Sequence, residues 1–180
     1  MSTVVVSGAI ANKPFNGGAA WTRLNWALGF RRLGWTVCFV EQLHEAAGHS
    51  EHVTYFRRIM EAFGLSQTSA LLSHEGRVIV GPSETELLAV AEGAELLINI
   101  TGHLRYEPLL RRIGYKVYVD LDPGFTQFWH ADPRSAFRLH GHDAYFTVGE
   151  NIGTCECSIP TDGIRWRPTR QPVVLEEWPV

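Results

Sequence analysis

Four ionisable residues stand where predicted strands end, and each could take part in proton transfer. His103 follows a buried apolar strand, Asp120 and Asp122 end and follow the next strand, and Glu150 follows the last one. An imidazole with its ordinary pKa of about 6.5 accepts a proton near neutral pH, and carboxylates can also act as bases. These four residues are therefore our candidates for catalysis.

His103 is the preferred general base among them, because Thr101-Gly102 gives it a close backbone setting. The alternative is that His103, one of eight histidines, is an ordinary surface-loop residue. Asp120 and Asp122 have a structural alternative too, since aspartates often cap a turn or helix of the kind that Pro123-Gly124 would begin.

A glycine pair, in Asn16-Gly17-Gly18, directly precedes a helical pattern over residues 19–33. Glycine has no Cβ, so its backbone can take a positive φ and a ligand can approach its N–H group closely. The first N–H groups of a helix have no partner within the helix, and they attract phosphate, carboxylate or sugar hydroxyl groups. Asn16, Gly17 and Gly18 are therefore candidate ligand-binding residues; the alternative is a tight strand-to-helix connection without a ligand.

Glu41 closes the second predicted strand, 35–41, at the position where dinucleotide-binding folds contact a ribose. The G-x-G-x-x-G fingerprint of those folds is absent, because the first strand continues into Ser7-Gly8-Ala9-Ile10-Ala11-Asn12. A dinucleotide site is therefore not expected. Glu41 stays a candidate ligand contact, with the alternative that it ties down a neighbouring loop.

Two short segments carry residue types that bind metals, His140-Gly141-His142-Asp143 and Cys155-Glu156-Cys157. Neither spacing matches a zinc knuckle or a pair of histidines one helical turn apart. We therefore interpret both segments as loops and predict neither a metal nor a cofactor.

Apolar periodicity and turn residues predict alternating strands and helices along the chain. The helix over 19–33 is predicted to expose Arg23, Arg31 and Arg32, and residues 65–76 are predicted to be irregular. The predicted strands cover 4–8, 35–41, 77–80, 96–100, 115–120 and 144–149, and the predicted helices cover 19–33, 51–63, 85–91, 107–113 and 133–139.

This alternation predicts an α/β fold in three layers, a mainly parallel sheet with helices on both faces. Such sheets bind ligands beyond the carboxyl ends of their strands, which is where the candidate catalytic residues fall. The tail over 155–180 contains four prolines and predicts an extended arm that leaves a domain over 1–154. A proline-rich apolar arm is typical of a crossing to a second domain.

Composition and charge restrict the class of protein. A chain of 180 residues, 45% hydrophobic and 19% charged, fits one folded domain with a sizeable core. Its net charge of -3 argues against nucleic acid or an anionic membrane as a partner. The sequence has no apolar run of the ~18 residues that a membrane span needs. Three cysteines, with Cys38 in an apparent core strand, favour a cytoplasmic location.

Several stretches of the sequence together resemble a known family. The stretch over 16–41, with its glycine pair and the turn Arg32-Leu33-Gly34, resembles the opening of GT-B glycosyltransferases. In that family a glycine pair precedes a helix that ends in a leucine-glycine turn and leads into a second strand. The stretches 118–127, 146–153 and 168–175 resemble uncharacterised bacterial proteins labelled as glycosyltransferases.

The resemblance implies two Rossmann-like halves that face each other across a cleft, the first binding the acceptor and the second the nucleotide-sugar donor. This chain would be the acceptor-side half, active only with a donor-binding half and independent of metal. Gly17 and Gly18 would then direct N–H groups at the diphosphate leaving group, while His103 would activate the acceptor hydroxyl.

Two further expectations concern the chain without such a partner. The alternative function is a stand-alone module that binds a nucleotide or a sugar without chemistry. A homo-oligomer would cover Trp166 and Trp178, which an extended arm would otherwise leave partly exposed.

Overall fold

The computed structural model describes residues 2–44, 49–135, 137, 139 and 141–178. Within them, eight strands form one sheet in the order β4-β3-β2-β1-β5-β6-β7-β8. All neighbouring strands pair in parallel except β3 and β4, which are antiparallel. The strands are β1 (Thr3–Ser7), β2 (Thr36–Gln42), β3 (Ser69–Leu72), β4 (Val78–Val80), β5 (Leu96–Ile100), β6 (Lys116–Asp120), β7 (Ala144–Thr147) and β8 (Trp166–Pro168).

Helices cover both faces of this sheet. The described α-helices are α1 (Gly17–Arg32), α2 (His49–Ala62), α3 (Glu84–Glu92), α4 (Glu107–Leu110) and α5 (Phe125–Ala131). Apolar side chains of α1 and α2 pack with Val4 and Val6 of β1 on one face. Side chains of α3 and α4 pack with Val5 on the other face. The prediction of an α/β fold in three layers is therefore confirmed, and the topology is Rossmann-like.

The strand order places a crossover beside β1. The chain leaves β1 toward β2 and β3 on one side, and later returns to form β5 on the other side. Loops that follow the two central strands must then diverge, and the crevice between them is where ligands bind in open α/β sheets. The register aligns Ser7 of β1 with Asn99 of β5, so both strands end at the same rim.

Two local predictions differ from the structure. Part of the stretch predicted to be irregular, 65–76, contains β3, whose four residues are too few to show a period. The helix predicted over 133–139 is absent at the described residues of that range, and α5 lies upstream instead. Asp132 before Pro133 has ψ 114, because the proline ring disfavours helical backbone in the preceding residue. Ala136 and Arg138 lie outside the described residues.

The C-terminal segment also differs from the predicted extended arm. Trp166 is buried in β8, which pairs with β7 and extends the sheet. The Gln171 side-chain amide donates to the Thr22 carbonyl oxygen at 2.8 Å, and the Val174 N–H donates to Asn25 Oδ1 at 2.7 Å. The described part of this segment therefore folds back onto α1 instead of leaving the domain.

The end of the segment continues along α1. The indole rings of Trp178 and Trp21 stack with centroids 4.6 Å apart. Ion pairs join Arg31 to Glu177 and Arg32 to Glu176. Pro179 and Val180 lie outside the described residues. In the part of the chain that the structure covers, no helix combines the length and the apolar character needed to cross a membrane.

Candidate functional site

His103 lies at the carboxyl end of β5, directly at the crossover. The two residues before it, Thr101 and Gly102, have φ values of 55° and 66°, and this left-handed turn sends the chain sharply back. A Cβ on Gly102 would come within 2.9 Å of the Tyr118 ring, so the turn needs a glycine there. The sequence prediction placed His103 at this strand end, and the structure shows it there.

The His103 imidazole pairs with a second histidine. His103 Nδ1 lies 2.8 Å from His44 Nε2, and the two rings stack with centroids 4.6 Å apart. One of these nitrogens must carry the hydrogen that the other accepts, so the pair can hold or pass on a single proton. His44 follows β2 and was not among the predicted site residues.

The surroundings of His103 disfavour its protonated form. Burial lowers the pKa of His103 to about 3, and the positive charges of His44, Arg23, Lys13 and Arg105 add to the effect. His103 is consequently neutral at pH 7. In the absence of a ligand it is also a much weaker base than its ordinary pKa would suggest.

Arg23 brings a buried positive charge to the same place. Its side chain passes over Gly8 at the end of β1, where an added Cβ would lie only 2.5 Å from Arg23 Cγ. Arg23 is 7% exposed, and burial lowers the pKa of its guanidinium. Nη1 reaches the Ala19 carbonyl oxygen at 3.4 Å, whereas Nε has no hydrogen-bond partner among the described residues.

The prediction that Arg23 lies on the exposed face of its helix is wrong. It belongs to the buried face that includes Ala20, Leu24 and Ala27. Its spacing of three residues from Ala20 and four from Ala27 was the available signal, but its charge predicted an exposed position. Gly8 leaves the space through which the arginine stem runs.

Glu41 holds the loop that follows β1. Its carboxylate accepts the backbone N–H groups of Ile10, Ala11 and Asn12 at 2.8–2.9 Å and the Asn12 side-chain amide at 2.9 Å. Glu41 is fully buried, and burial raises its pKa to about 7 against the opposing effect of these hydrogen bonds. These contacts match the predicted alternative, an acid that ties down a neighbouring loop.

Asn12 links this loop to the histidine pair. Its side-chain amide group also donates to the Gln42 carbonyl oxygen at 2.8 Å, and its Oδ1 accepts the His44 backbone N–H at 3.0 Å. A continuous chain of contacts thus runs from Glu41 through Asn12 and His44 to His103. We call Gly8, Arg23, His44 and His103 the crossover site.

Asn16, Gly17 and Gly18 form the exposed start of α1. Asn16 is the N-cap, and its Oδ1 accepts the Ala19 N–H at 2.9 Å. Neither glycine has a positive φ, in contrast to the predicted use of glycine here. A Cβ on Gly17 would meet nothing within 4 Å, and one on Gly18 would lie 3.6 Å from Asn16 Oδ1. Neither backbone conformation nor packing therefore requires the glycine pair.

Asp120 lies at the end of β6 and organises the next loop. Its carboxylate accepts the Asp122 N–H and the Thr126 hydroxyl at one oxygen, and the Gln127 amide and the Thr147 hydroxyl at the other. These distances are 2.7–2.9 Å, and the side chain is fully buried. The contacts favour the predicted structural alternative for Asp120.

The other two predicted carboxylates are exposed. Asp122 lies in the loop before α5, where its carbonyl oxygen accepts the Thr126 N–H at 3.2 Å. Glu150 follows β7, two strands away from β5, and pairs with Arg170 at 3.3 Å. The structure thus places His103 in contact with His44 and within the electrostatic influence of Arg23, and it gives Asp120, Asp122 and Glu150 other neighbours. A role for those three in catalysis stays a prediction.

The two segments with metal-binding residue types are not brought together as ligands in the described structure. No group of three histidine, cysteine, aspartate or glutamate residues suited to a metal occurs among the described residues. His142 Nε2 lies 3.1 Å from Asn99 Nδ2, while His140 is outside the described residues.

Comparisons of the chain with protein-family models, with curated proteins and with solved structures gave no match. The class that the structure itself defines is a Rossmann-like α/β domain with a polar, positively charged site at its central crossover.

Proposed function

We propose that this chain is the acceptor-side half of a glycosyltransferase that moves a sugar from a nucleotide-sugar donor to an acceptor hydroxyl. The observation that carries the proposal is a neutral imidazole, His103, held at the central crossover of a Rossmann-like sheet. The resemblance of residues 16–41 to the opening of GT-B glycosyltransferases supports it.

In the proposed reaction the acceptor oxygen forms a bond to the anomeric carbon of the donor sugar. The bond from that carbon to the nucleoside diphosphate breaks, and the diphosphate leaves with the electron pair. His103 takes the acceptor proton, and its contact with His44 lets the pair share the resulting charge. A negatively charged ligand beside Arg23 would oppose the positive field that lowers the pKa of His103, and so restore its basicity.

The start of α1 would assist the leaving group. The N–H groups at Gly17 and Gly18 belong to the first turn of α1, and both residues are exposed. Donors at a helix start stabilise the negative charge that develops on a diphosphate. In this proposal a donor-binding half presents the diphosphate to them, so the acceptor-side half needs that partner for turnover.

The experiment is a sugar-transfer assay with nucleotide sugars, using the chain alone and the chain together with a donor-binding domain encoded beside or within the same gene. Turnover is expected only with both halves. His103→Ala should lower kcat by about 10²–10⁴-fold and change KM little, because the base acts in the transition state. His74→Ala, at an exposed histidine of the β3–β4 turn, is the matched control with unchanged kcat. Equal kcat for His103→Ala and the wild type would remove His103 from the mechanism.

A stand-alone module that binds a nucleotide or sugar without chemistry is the second candidate. The observation that favours it is the lowered pKa of His103, about 3, which suits a hydrogen-bonding group better than a base. This candidate would be supported if the chain bound a nucleotide or sugar but gave no turnover, either alone or together with the donor-binding domain. Turnover that depends on His103 would exclude it.

A further inference from the structure

We infer that the crossover site binds the anionic group of a small-molecule ligand, a phosphate or a carboxylate, with the Arg23 guanidinium as its principal partner. Three features of the structure carry this inference: the placement of Arg23, the balance of charge around it, and the hydrogen-bonding groups at the rim. The inference deepens the proposed function, since it gives the acceptor an anionic group. It rests on the proposed function only in identifying the bound ligand as the acceptor.

The placement of Arg23 is costly without a ligand. An arginine residue that is 7% exposed has lost most of its water, and buried charged groups are normally paired. Here Nε is without a hydrogen-bond partner among the described residues, and Nη1 makes only a 3.4 Å contact with the Ala19 carbonyl oxygen. The planar fork of an arginine fits phosphate or carboxylate with two parallel hydrogen bonds.

The charge balance of the site is positive. Arg23, Lys13 and Arg105 act together on His103 from α1, from the loop after β1 and from the segment after β5. Glu41 is the carboxylate that acts on Arg23, but its two oxygens already accept four hydrogen bonds from the loop over 10–12. The carboxylate therefore serves the loop, and the guanidinium keeps capacity for an added anion.

Two further polar atoms at the same strand ends are available in the described structure. The hydroxyl groups of Ser7, the last residue of β1, and Thr101, the first residue after β5, are buried without a hydrogen-bond partner among the described residues. Buried hydroxyl groups are normally satisfied by protein, water or a ligand. They lie at the carboxyl ends of the two central strands, between which the chain makes its crossover.

The test is isothermal titration of the intact chain with inorganic phosphate, pyrophosphate, acetate and glucose. Phosphate or acetate should bind and glucose should not. Whichever of phosphate, pyrophosphate and acetate binds most tightly shows whether the site prefers a phosphate or a carboxylate. Arg23→Met should weaken binding of the preferred anion at least ~10-fold, and Arg23→Lys should weaken it less, because the charge stays but the fork is lost. Arg58→Gln, at an exposed arginine of α2, is the matched control with unchanged affinity.

Lys13→Gln provides a second test in case the Arg23 variants do not fold. Lys13 is exposed, so its variant should fold as the wild type does and bind the anion about 2–5-fold more weakly through the lost charge. Failure of the wild type to bind any of the anions, or equal anion affinity in folded Arg23→Met, would overturn the inference. Should Arg23→Met not fold, unchanged affinity in Lys13→Gln would overturn it. These are binding measurements, so the anion site and the proposed sugar transfer can fail separately.

Discussion

Arg23 and Glu41 are two buried ionisable residues that serve different purposes in the same part of the fold. Glu41 accepts four hydrogen bonds and fixes the loop after β1. Arg23 lies over Gly8 with its Nε free of any described partner. A buried group whose bonds are all made has a structural role, and a buried group with spare capacity points to a ligand. We therefore assign Glu41 a structural role in the site and Arg23 the role of binding the ligand.

The free energy of unfolding should depend on pH through Glu41. Burial raises the pKa of Glu41 from 4.5 to about 7, so the folded state binds a proton that the unfolded state has already lost between these values. The stabilisation is fully present below pH 4.5 and is lost as the pH rises through 7, a decrease on the order of 3 kcal/mol. The lowered pKa of His103 contributes in the opposite direction below pH 6.5, so the Glu41 contribution is measured as the difference between the wild type and Glu41→Gln in urea unfolding at several pH values.

Glu41→Gln should remove the Glu41 contribution to this pH dependence, since the amide does not titrate, and leave the opposite contribution of His103 in place. Glu95→Gln changes an exposed glutamate outside the site and is the matched control, with the slope of the wild type retained. If Glu41→Gln and the wild type lost the same stability between pH 4.5 and 7, the dependence would have another origin.

At the scale of elements, α1 begins with a glycine pair that its own structure does not require. Gly17 has ordinary helical backbone and open space around it, whereas Gly102 combines a positive φ with a close aromatic ring. Glycine in a helix is less stable than alanine by about 0.5–1 kcal/mol. Binding of a ligand to the backbone N–H groups at the start of α1 would explain why glycine is present there despite its lower helix stability.

Gly17→Ala should therefore raise the free energy of unfolding by about 0.5–1 kcal/mol and impair function. The added methyl group would stand between the helix N–H groups and the diphosphate, so kcat/KM in the two-half transfer assay should fall about tenfold, equivalent to about 1.4 kcal/mol. Gly114→Ala, at another exposed glycine with nothing within 4 Å, should leave kcat/KM unchanged. A stabilised Gly17→Ala with normal kcat/KM would exclude the glycine pair from the site.

For the whole molecule, the sequence predicted the frame better than the site. Strands β1 and β5 are predominantly apolar, and a capping box of Ser83 and Glu86 opens α3. Strands β3 and β8 have only four and three residues, too short for periodicity to separate them from loops. Their positions depend on pairing with β2 and β7, which is long-range information.

The sequence predicted only those candidate residues that lie next to a recognisable strand or helix. His103 was found because it follows a recognisable strand, and the glycine pair because it precedes a recognisable helix. Arg23 and His44 were missed, since their roles depend on contacts with residues distant in the chain. The pKa of His103 was expected to be ordinary and is instead lowered, because burial and four nearby cationic groups are visible only in three dimensions.

The C-terminal segment is held to α1 by specific contacts that a single variant can remove. Asn25 is buried, accepts the Val174 N–H at 2.7 Å and donates to the Trp21 carbonyl oxygen at 2.9 Å. Asn25→Ala should destabilise the packing of residues 171–178 by about 1–3 kcal/mol and speed amide hydrogen exchange at Val174. Asn151→Ala, at an exposed asparagine, is the control. Unchanged exchange at Val174 in Asn25→Ala would show that other contacts hold the segment.

The central claim is that His103 is a neutral imidazole in a positively charged site that receives an anion. Nuclear magnetic resonance of the His103 ring during a pH titration, without and with inorganic phosphate, tests this claim most directly. The account predicts a ring that stays neutral down to a pKa of about 3 without phosphate, and a pKa raised by one unit or more with saturating phosphate. An ordinary pKa near 6.5 that phosphate does not change would contradict it.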